Sequence, residues 1–165
     1  MTFGSLFSGI GGMDLGLERA GMECRWQVEN NPDAIRCLER HWPNVRRYGD
    51  IRTVGPELER VNVIAGGFPC VDISAAGRQA GIDAERSGLW FQYARLIRLL
   101  RPDIAIIENV ARLLVSGMDR VLGELAASGY DAEWQVLPAR GFGAPHYRAR
   151  VFILAYPSGS RLEGI

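Results

Sequence analysis

Four short clusters in this sequence carry residue types that do chemistry. Cys70 follows Gly66-Gly67-Phe68-Pro69 directly behind a strongly apolar run, residues 61–65. A thiol where a buried strand ends stands at the lip of a sheet. The Gly-containing stretch behind it brings Arg78 and Arg86, cations that favour the nucleophilic thiolate. Glu108-Asn109 ends a second apolar run, residues 104–107, with a carboxyl and an amide. Arg148 and Arg150 stand at the entrance to a third, residues 151–155. Phe7-Ser8-Gly9-Ile10-Gly11-Gly12 is a breaker cluster whose small residues let a ligand approach the backbone. Asp14 falls where a dinucleotide fingerprint would have its third glycine. An acid at a helix start repels a pyrophosphate, so the turn suits a cationic or neutral ligand better. Glu29 ends the next apolar run, where ribose hydroxyls are received in such folds, and Asp50 follows Gly49 after a weaker one. Each cluster alone has a plainer reading: a simple turn, strand-end acids, surface arginines, a small buried thiol.

The elements that must position these groups alternate. Apolar runs at residues 2–7, 23–28, 45–48, 61–65, 104–107, 130–137 and 151–155 predict seven strands. Between them, residues 13–20, 32–41, 88–101 and 113–128 predict helices. Pro32 sits at a first helical position, and Leu89, Tyr93, Leu96, Ile97 and Leu100 form one stripe. Residues 67–87 form a long stretch without period, the length class of functional loops. Alternation of this kind predicts an α/β domain, a mostly parallel twisted sheet with helices on both faces. The last two strands have no helix between them and are expected to pair as an antiparallel edge hairpin. Ligands in such sheets sit outside the carboxyl ends of the strands, where Phe7-Ser8-Gly9, Glu29, Asp50, Phe68-Pro69-Cys70 and Glu108-Asn109 fall.

Length and composition fit that picture. One hundred and sixty-five residues predict a single domain, and 47% hydrophobic with 23% charged residues argues against disorder. No apolar run approaches a membrane span. Cys24, Cys37 and Cys70 are an odd number without C-x-x-C spacing, so neither a disulfide framework nor a metal site is expected; a reducing cytoplasm is the default, with Cys24 and Cys37 read as core. Nineteen basic against nineteen acidic residues give no net charge, so a polyanion partner would need a local basic surface or another chain.

Taken in order, Phe7-Ser8-Gly9-Ile10-Gly11-Gly12, Gly67-Phe68-Pro69-Cys70, Glu108-Asn109-Val110 and Arg148-x-Arg150 resemble the S-adenosylmethionine domain of the DNA cytosine-5 methyltransferases, from about residue 2 to residue 156. The resemblance implies a Rossmann-like methyltransferase fold and DNA containing a target cytosine as substrate. It implies Cys70 as the thiolate that adds to carbon 6 of a flipped cytosine, after which carbon 5 attacks the sulfonium methyl. Glu108 would protonate or hydrogen-bond ring nitrogen 3, which calls for a buried carboxyl. Asn109 would position the segment bearing Cys70, and Arg150 with Arg148 would hold the base carbonyl and the loop. On the cofactor side, Phe7, Gly9, Ile10, Gly11 and Gly12 would line the methionine and adenosine, and Glu29 the ribose. Asp50 would accept from the adenine amino group and Ile51 pack on its face, with Asn30, Pro69 and Leu89 beside them. Loop 67–87 would close over the flipped base.

The sequence departs from the family pattern at three places. Val71 and Asp72 follow Pro69-Cys70 where relatives usually have Gln, and Asn30 stands where an aromatic ring often stacks on adenine. Relatives continue into a target-recognition domain and a returning helix. Residues 1–156 are therefore expected to form the catalytic domain and residues 157–165 a linker-like tail, with recognition supplied by a complementary polypeptide or lost by truncation. Rival readings are a silent cofactor-binding or regulatory protein, a transfer RNA methyltransferase with the same motifs, and a nicotinamide oxidoreductase, which Asp14 argues against.

Overall fold

The computed structural model describes residues 1–69 and 88–160. Cys70, the stretch beyond it that was expected to close over the base, with Arg78 and Arg86, and residues 161–165 lie outside the described residues. Seven strands form one sheet: β1 (Thr2–Leu6), β2 (Glu23–Val28), β3 (Arg46–Tyr48), β4 (Val63–Gly67), β5 (Ile104–Val110), β6 (Tyr130–Pro138) and β7 (Ala149–Pro157). Their order is β3-β2-β1-β4-β5-β7-β6. The first five run parallel, and β7 is antiparallel to both β5 and β6. The expected edge hairpin is present, with β7 inserted beside β5 and β6 at the rim.

Among the described residues four α-helices connect the strands: α1 (Gly12–Arg19), α2 (Pro32–His41), α3 (Leu89–Leu100) and α4 (Met118–Ala127). α2 starts where Asn31 accepts hydrogen bonds from the N–H groups of Asp33 and Ala34, with Pro32 at a position that needs no donor. α1 and α2 place Leu17, Leu38 and Trp42 on one face of the sheet against Phe3, Val63 and Ala65. α3 and α4 cover the other with Trp90, Tyr93, Ile97, Val121 and Leu125 over Leu6, Ile64, Ile107 and Ile153. Tyr93 reaches through this core to donate to the carbonyls of Ile64 and Ile106 on adjacent strands.

Several elements differ from the sequence expectation; β5, for one, continues past residue 107 to Val110. The single helix expected over residues 113–128 is a 3-10 turn, Ala111–Val115, followed by α4, because Gly117 adopts φ +119° and breaks the spiral. β4 begins two residues later than its apolar run and continues through Gly66 and Gly67, which pair with Ile107 and Glu108 of β5. β7 reaches Pro157, and Ser158 is then pinned to Gly129 and Asp131. Cys24 is core, its thiol pushed up to about 12 chiefly by burial, whereas Cys37 is only half-buried.

The core under α1 and α2 also holds a carboxyl, Asp14 on the first turn of α1, which is 0% exposed. It accepts from Ser5 Oγ of β1 at 2.6 Å and from Gln27 Nε2 of β2 at 2.8 Å. The acid therefore faces the sheet instead of the ligand. Burial holds its carboxyl above the usual value of 3.8, against the pull of those two hydrogen bonds. The folded chain keeps this proton to higher pH than the unfolded chain. The carboxylate thus weighs against stability above the raised pKa, and that cost disappears as pH falls toward 3.8. In Asp14→Asn the Gln27 amide can turn over, so that its Oε1, buried without a partner, accepts the new N–H. Urea unfolding should show wild type gaining stability relative to Asp14→Asn as the pH is lowered from neutral toward 3.8. A stability difference constant across that range would contradict the raised carboxyl.

Candidate functional site

The carboxyl ends of the strands form one edge, and the candidate side chains divide it into two halves. On the β1-β2-β3 side, Phe7, Glu29, Asn30, Asp50, Ile51, Pro69 and Leu89 line a cleft of about 110 Å³. Val28, Gly49 and Arg52 complete its wall without belonging to any of the motifs, although Arg52 is two residues from Asp50. Gly9, Ile10, Gly11 and Gly12 do not line this cleft. Ile10 is 70% exposed, and Gly11 lies against Trp42 and Leu38 of α2, where a Cβ would come within 2.3 Å of the Trp42 ring. That crowding and its φ of +85° require glycine at position 11.

Glu29 organises this half. Its Oε2 accepts the N–H of Gly9 at 2.7 Å, and its Oε1 accepts those of Asn30 at 2.9 Å and Asn31 at 2.8 Å. One carboxylate thereby ties the turn after β1 to the start of α2. Phe7, just before that turn, is held at φ +54°, a conformation unfavourable for a side-chain-bearing residue and stored where a ligand would bind. Asp50 accepts the N–H of Arg52 on Oδ1 at 2.9 Å, and its Oδ2 lies 3.8 Å from the Arg52 guanidinium. Arg95 of α3 donates to the carbonyls of Ile51 and Val54 and fixes this turn from behind.

The other half is built by β4, β5 and β7. The antiparallel register sets Arg150 opposite Val110, one pleat beyond Glu108 on the same face. Arg150 Nε donates to Glu108 Oε1 at 2.9 Å, and both side chains keep about a quarter of their surface exposed. Burial raises the Glu108 carboxyl above its ordinary value, against the opposing pull of Arg150 and then Arg148. Asn109, on the opposite face, donates to the Phe68 carbonyl at 3.1 Å and accepts the Val110 N–H at 2.7 Å. It thus grips the segment that leads into position 70. Arg148 is held at φ +31° and, with Arg150, borders a recess of about 290 Å³ whose other walls are Leu137, Ala139, Phe142 and Phe152. Phe142, 75% exposed, was not singled out in the sequence; an aromatic between Gly141 and Gly143 in a loop was its available signal.

Among the described residues no group of three or more His, Cys, Asp or Glu side chains could hold a metal ion, and no helix is long and apolar enough to cross a membrane. The strand order, the antiparallel β7 and the cleft beside the β1 turn define a Rossmann-like S-adenosylmethionine-dependent methyltransferase fold. The family model of C-5 cytosine-specific DNA methylases matches residues 1–163, and the chain belongs to that family. It is 40% identical over 162 residues to the Type II methyltransferase M2.BsuMI of Bacillus subtilis, covering 92% of this chain and 41% of that protein. It is 36% identical over 166 residues to M.Bsp6I of a Bacillus species, covering 94% and 52%. The chain thus spans about half or less of these relatives' length. A DNA modification methyltransferase encoded within a prophage (E. coli) superposes with a TM-score of 0.79 at 26% identity, over 95% of this chain and 47% of that one. Spodoptera frugiperda DNMT2 superposes with a TM-score of 0.81 at 20% identity, over 99% and 52%, a likeness that bears on fold alone.

The three amide contacts make Glu29 a test of the cleft. Glu29→Gln turns an NH₂ group toward backbone donors. It should weaken S-adenosylhomocysteine binding by about 1–3 kcal/mol in calorimetric titration, with a smaller drop in melting temperature. Unaltered affinity would mean that the carboxylate neither shapes the cleft nor meets the ligand.

Proposed function

We propose that this chain is the catalytic module of a DNA cytosine-5 methyltransferase acting on a flipped cytosine through a covalent adduct at Cys70. The observation that supports this most directly is the Glu108–Arg150 pair beside Gly67-Phe68-Pro69, with Asn109 bonded to the Phe68 carbonyl. It sets a carboxyl of raised pKa and a guanidinium next to the residues that precede Cys70.

The cleft residues fit S-adenosylmethionine. Glu29 Oε2 accepts one N–H and keeps a lone pair for a ribose hydroxyl. Asp50 Oδ2 keeps acceptor capacity for an amino group, and Ile51 and Leu89 offer apolar walls to a flat ring. When bound there, the group supplies an electrophilic methyl on a sulfonium. The buried Asp14 carboxyl adds favourable field for a cationic ligand when ionised.

On the acceptor side, the Cys70 thiolate adds to carbon 6 of cytosine while Glu108 places a proton on nitrogen 3, so the added electron pair is not left on a strained anion. Carbon 5 takes the methyl group with that electron pair. Loss of the carbon 5 proton to a base, breakage of the carbon–sulfur bond and return of the nitrogen 3 proton to Glu108 restore the ring and the thiolate. Arg150 and Arg148 hold the carbonyl oxygen, and Arg150 steadies Glu108 whenever it is ionised. Such chemistry needs the base out of the stack. Every described strand and helix belongs to the sheet and its covers, so reading a sequence in a groove calls for a recognition part in addition, on this polypeptide or another.

An oligonucleotide carrying 5-fluorocytosine tests the mechanism, because fluorine cannot leave as a cation and elimination is blocked. With cofactor and a recognition part present, a covalent adduct should form at Cys70, vanish in Cys70→Ser and persist in Cys24→Ser and Cys37→Ser. An adduct surviving in Cys70→Ser would overturn the assignment. Tighter binding of NAD than of S-adenosylmethionine would overturn the cofactor reading.

A further inference from the structure

Gly66 and Gly67 end β4 side by side, and the space around them differs in kind. A Cβ on Gly66 would stand 2.1 Å from the Leu6 carbonyl oxygen of β1, a backbone atom that cannot give way. A Cβ on Gly67 would stand 2.5 Å from Glu108 Oε2, with the nearest backbone atom at an ordinary 3.5 Å. Gly67 and Glu108 are register partners on adjacent strands, and Arg150 reaches the other carboxylate oxygen from β7, on the far side of β5. The carboxyl therefore sits between a bare Cα on one side and a guanidinium on the other. We propose that Gly67 is a positioning residue for Glu108: its missing side chain leaves the seat that sets where the carboxyl meets the base and how closely it approaches Arg150. This rests on the function proposed above.

The two glycines should separate by experiment. Gly66→Ala forces β4 away from β1 and is a stability mutation. In Gly67→Ala only the far end of a flexible side chain must move, so the fold keeps its packing. The methyl group displaces the carboxyl off β4, toward Arg150 or out to solvent. Both directions favour the ionised form, and the pKa falls. The charged groups acting on Glu108 are Arg150 and Arg148 from the β7 side; β4 carries none. A lower pKa leaves less of the protonated acid at neutral pH, so the rate optimum moves to lower pH.

The experiment titrates the Glu108 carboxyl by ¹³C NMR in the chain, its signal assigned by loss in Glu108→Gln, in wild type, Gly66→Ala and Gly67→Ala. Gly67→Ala should lower the midpoint by about half a pH unit or more, while melting temperature and S-adenosylhomocysteine affinity stay near wild type. Gly66→Ala should melt earlier. With the recognition part and DNA added, Gly67→Ala should slow methyl transfer about tenfold to a hundredfold at neutral pH, with its optimum displaced downward. An unmoved midpoint, or a destabilisation equal to that of Gly66→Ala, overturns the positioning role. A moved midpoint in a chain whose wild type transfers no methyl group supports the positioning and overturns the reading it rests on.

Discussion

The Glu108–Arg150 pair is the contact around which the edge of this sheet is organised. It exists because β7 runs against β5: a strand entering the sheet in reverse begins where its parallel neighbours end. Residues some forty positions apart therefore meet at the same edge, with their side chains on the same face. The pair sets the charge of the carboxyl by opposition. Burial raises the Glu108 pKa, Arg150 lowers it, and the net remains above the ordinary value. Partial exposure of both side chains keeps the balance adjustable, since displacing water from this edge strengthens the charge interactions there. A fully buried ion pair would be locked in the ionised state, and a free surface pair would leave the carboxyl with an ordinary pKa.

The β1-β2-β3 half uses charge differently. Glu29 accepts three backbone N–H groups and so acts first as a bracket for its own chain, with capacity left over for a ligand. Asp14, one turn into α1, fastens that helix to β1 and β2 through Ser5 and Gln27. The turn between them, with Phe7 and Gly9 at positive φ, is thus anchored from both ends by carboxylates. Strain at Phe7 persists because these anchors over-determine the backbone there.

Much of this was legible in the sequence. The alternation of apolar runs and helical stretches carried the sheet, its helices and the hairpin, because strand and helix periods differ so strongly. The motif residues at strand ends fell on one edge, as expected for a sheet of this topology. Other features depend on what approaches a residue from elsewhere in the chain. Gly117 inside an amphipathic pattern reads as a tolerated glycine, yet its φ of +119° divides the helix. Gly11 reads as a ligand-facing turn residue, yet Trp42, thirty-one positions later, is what crowds it. Asp14 reads as an acid facing the ligand, and the choice of facing the sheet was made by Ser5 and Gln27, residues with no signature of their own. Cys37 reads as core, but its position on α2 leaves it half-buried.

The strand order carries the last step. Reading β3-β2-β1-β4-β5-β7, the sheet reverses its direction of growth between β1 and β4, and a crevice opens where it does so. The groups suited to a nucleoside ligand lie on one side of that point, at the ends of β1, β2 and β3. The carboxyl and arginines lie on the other, at the edge of β5 and β7. β4 stands between, and its exit, Gly67-Phe68-Pro69, serves both: Pro69 lines the cleft, Phe68 is gripped by Asn109, and Gly67 seats Glu108. The two sets of groups thus stand on either side of one strand end, which β4 holds in place by pairing with both β1 and β5.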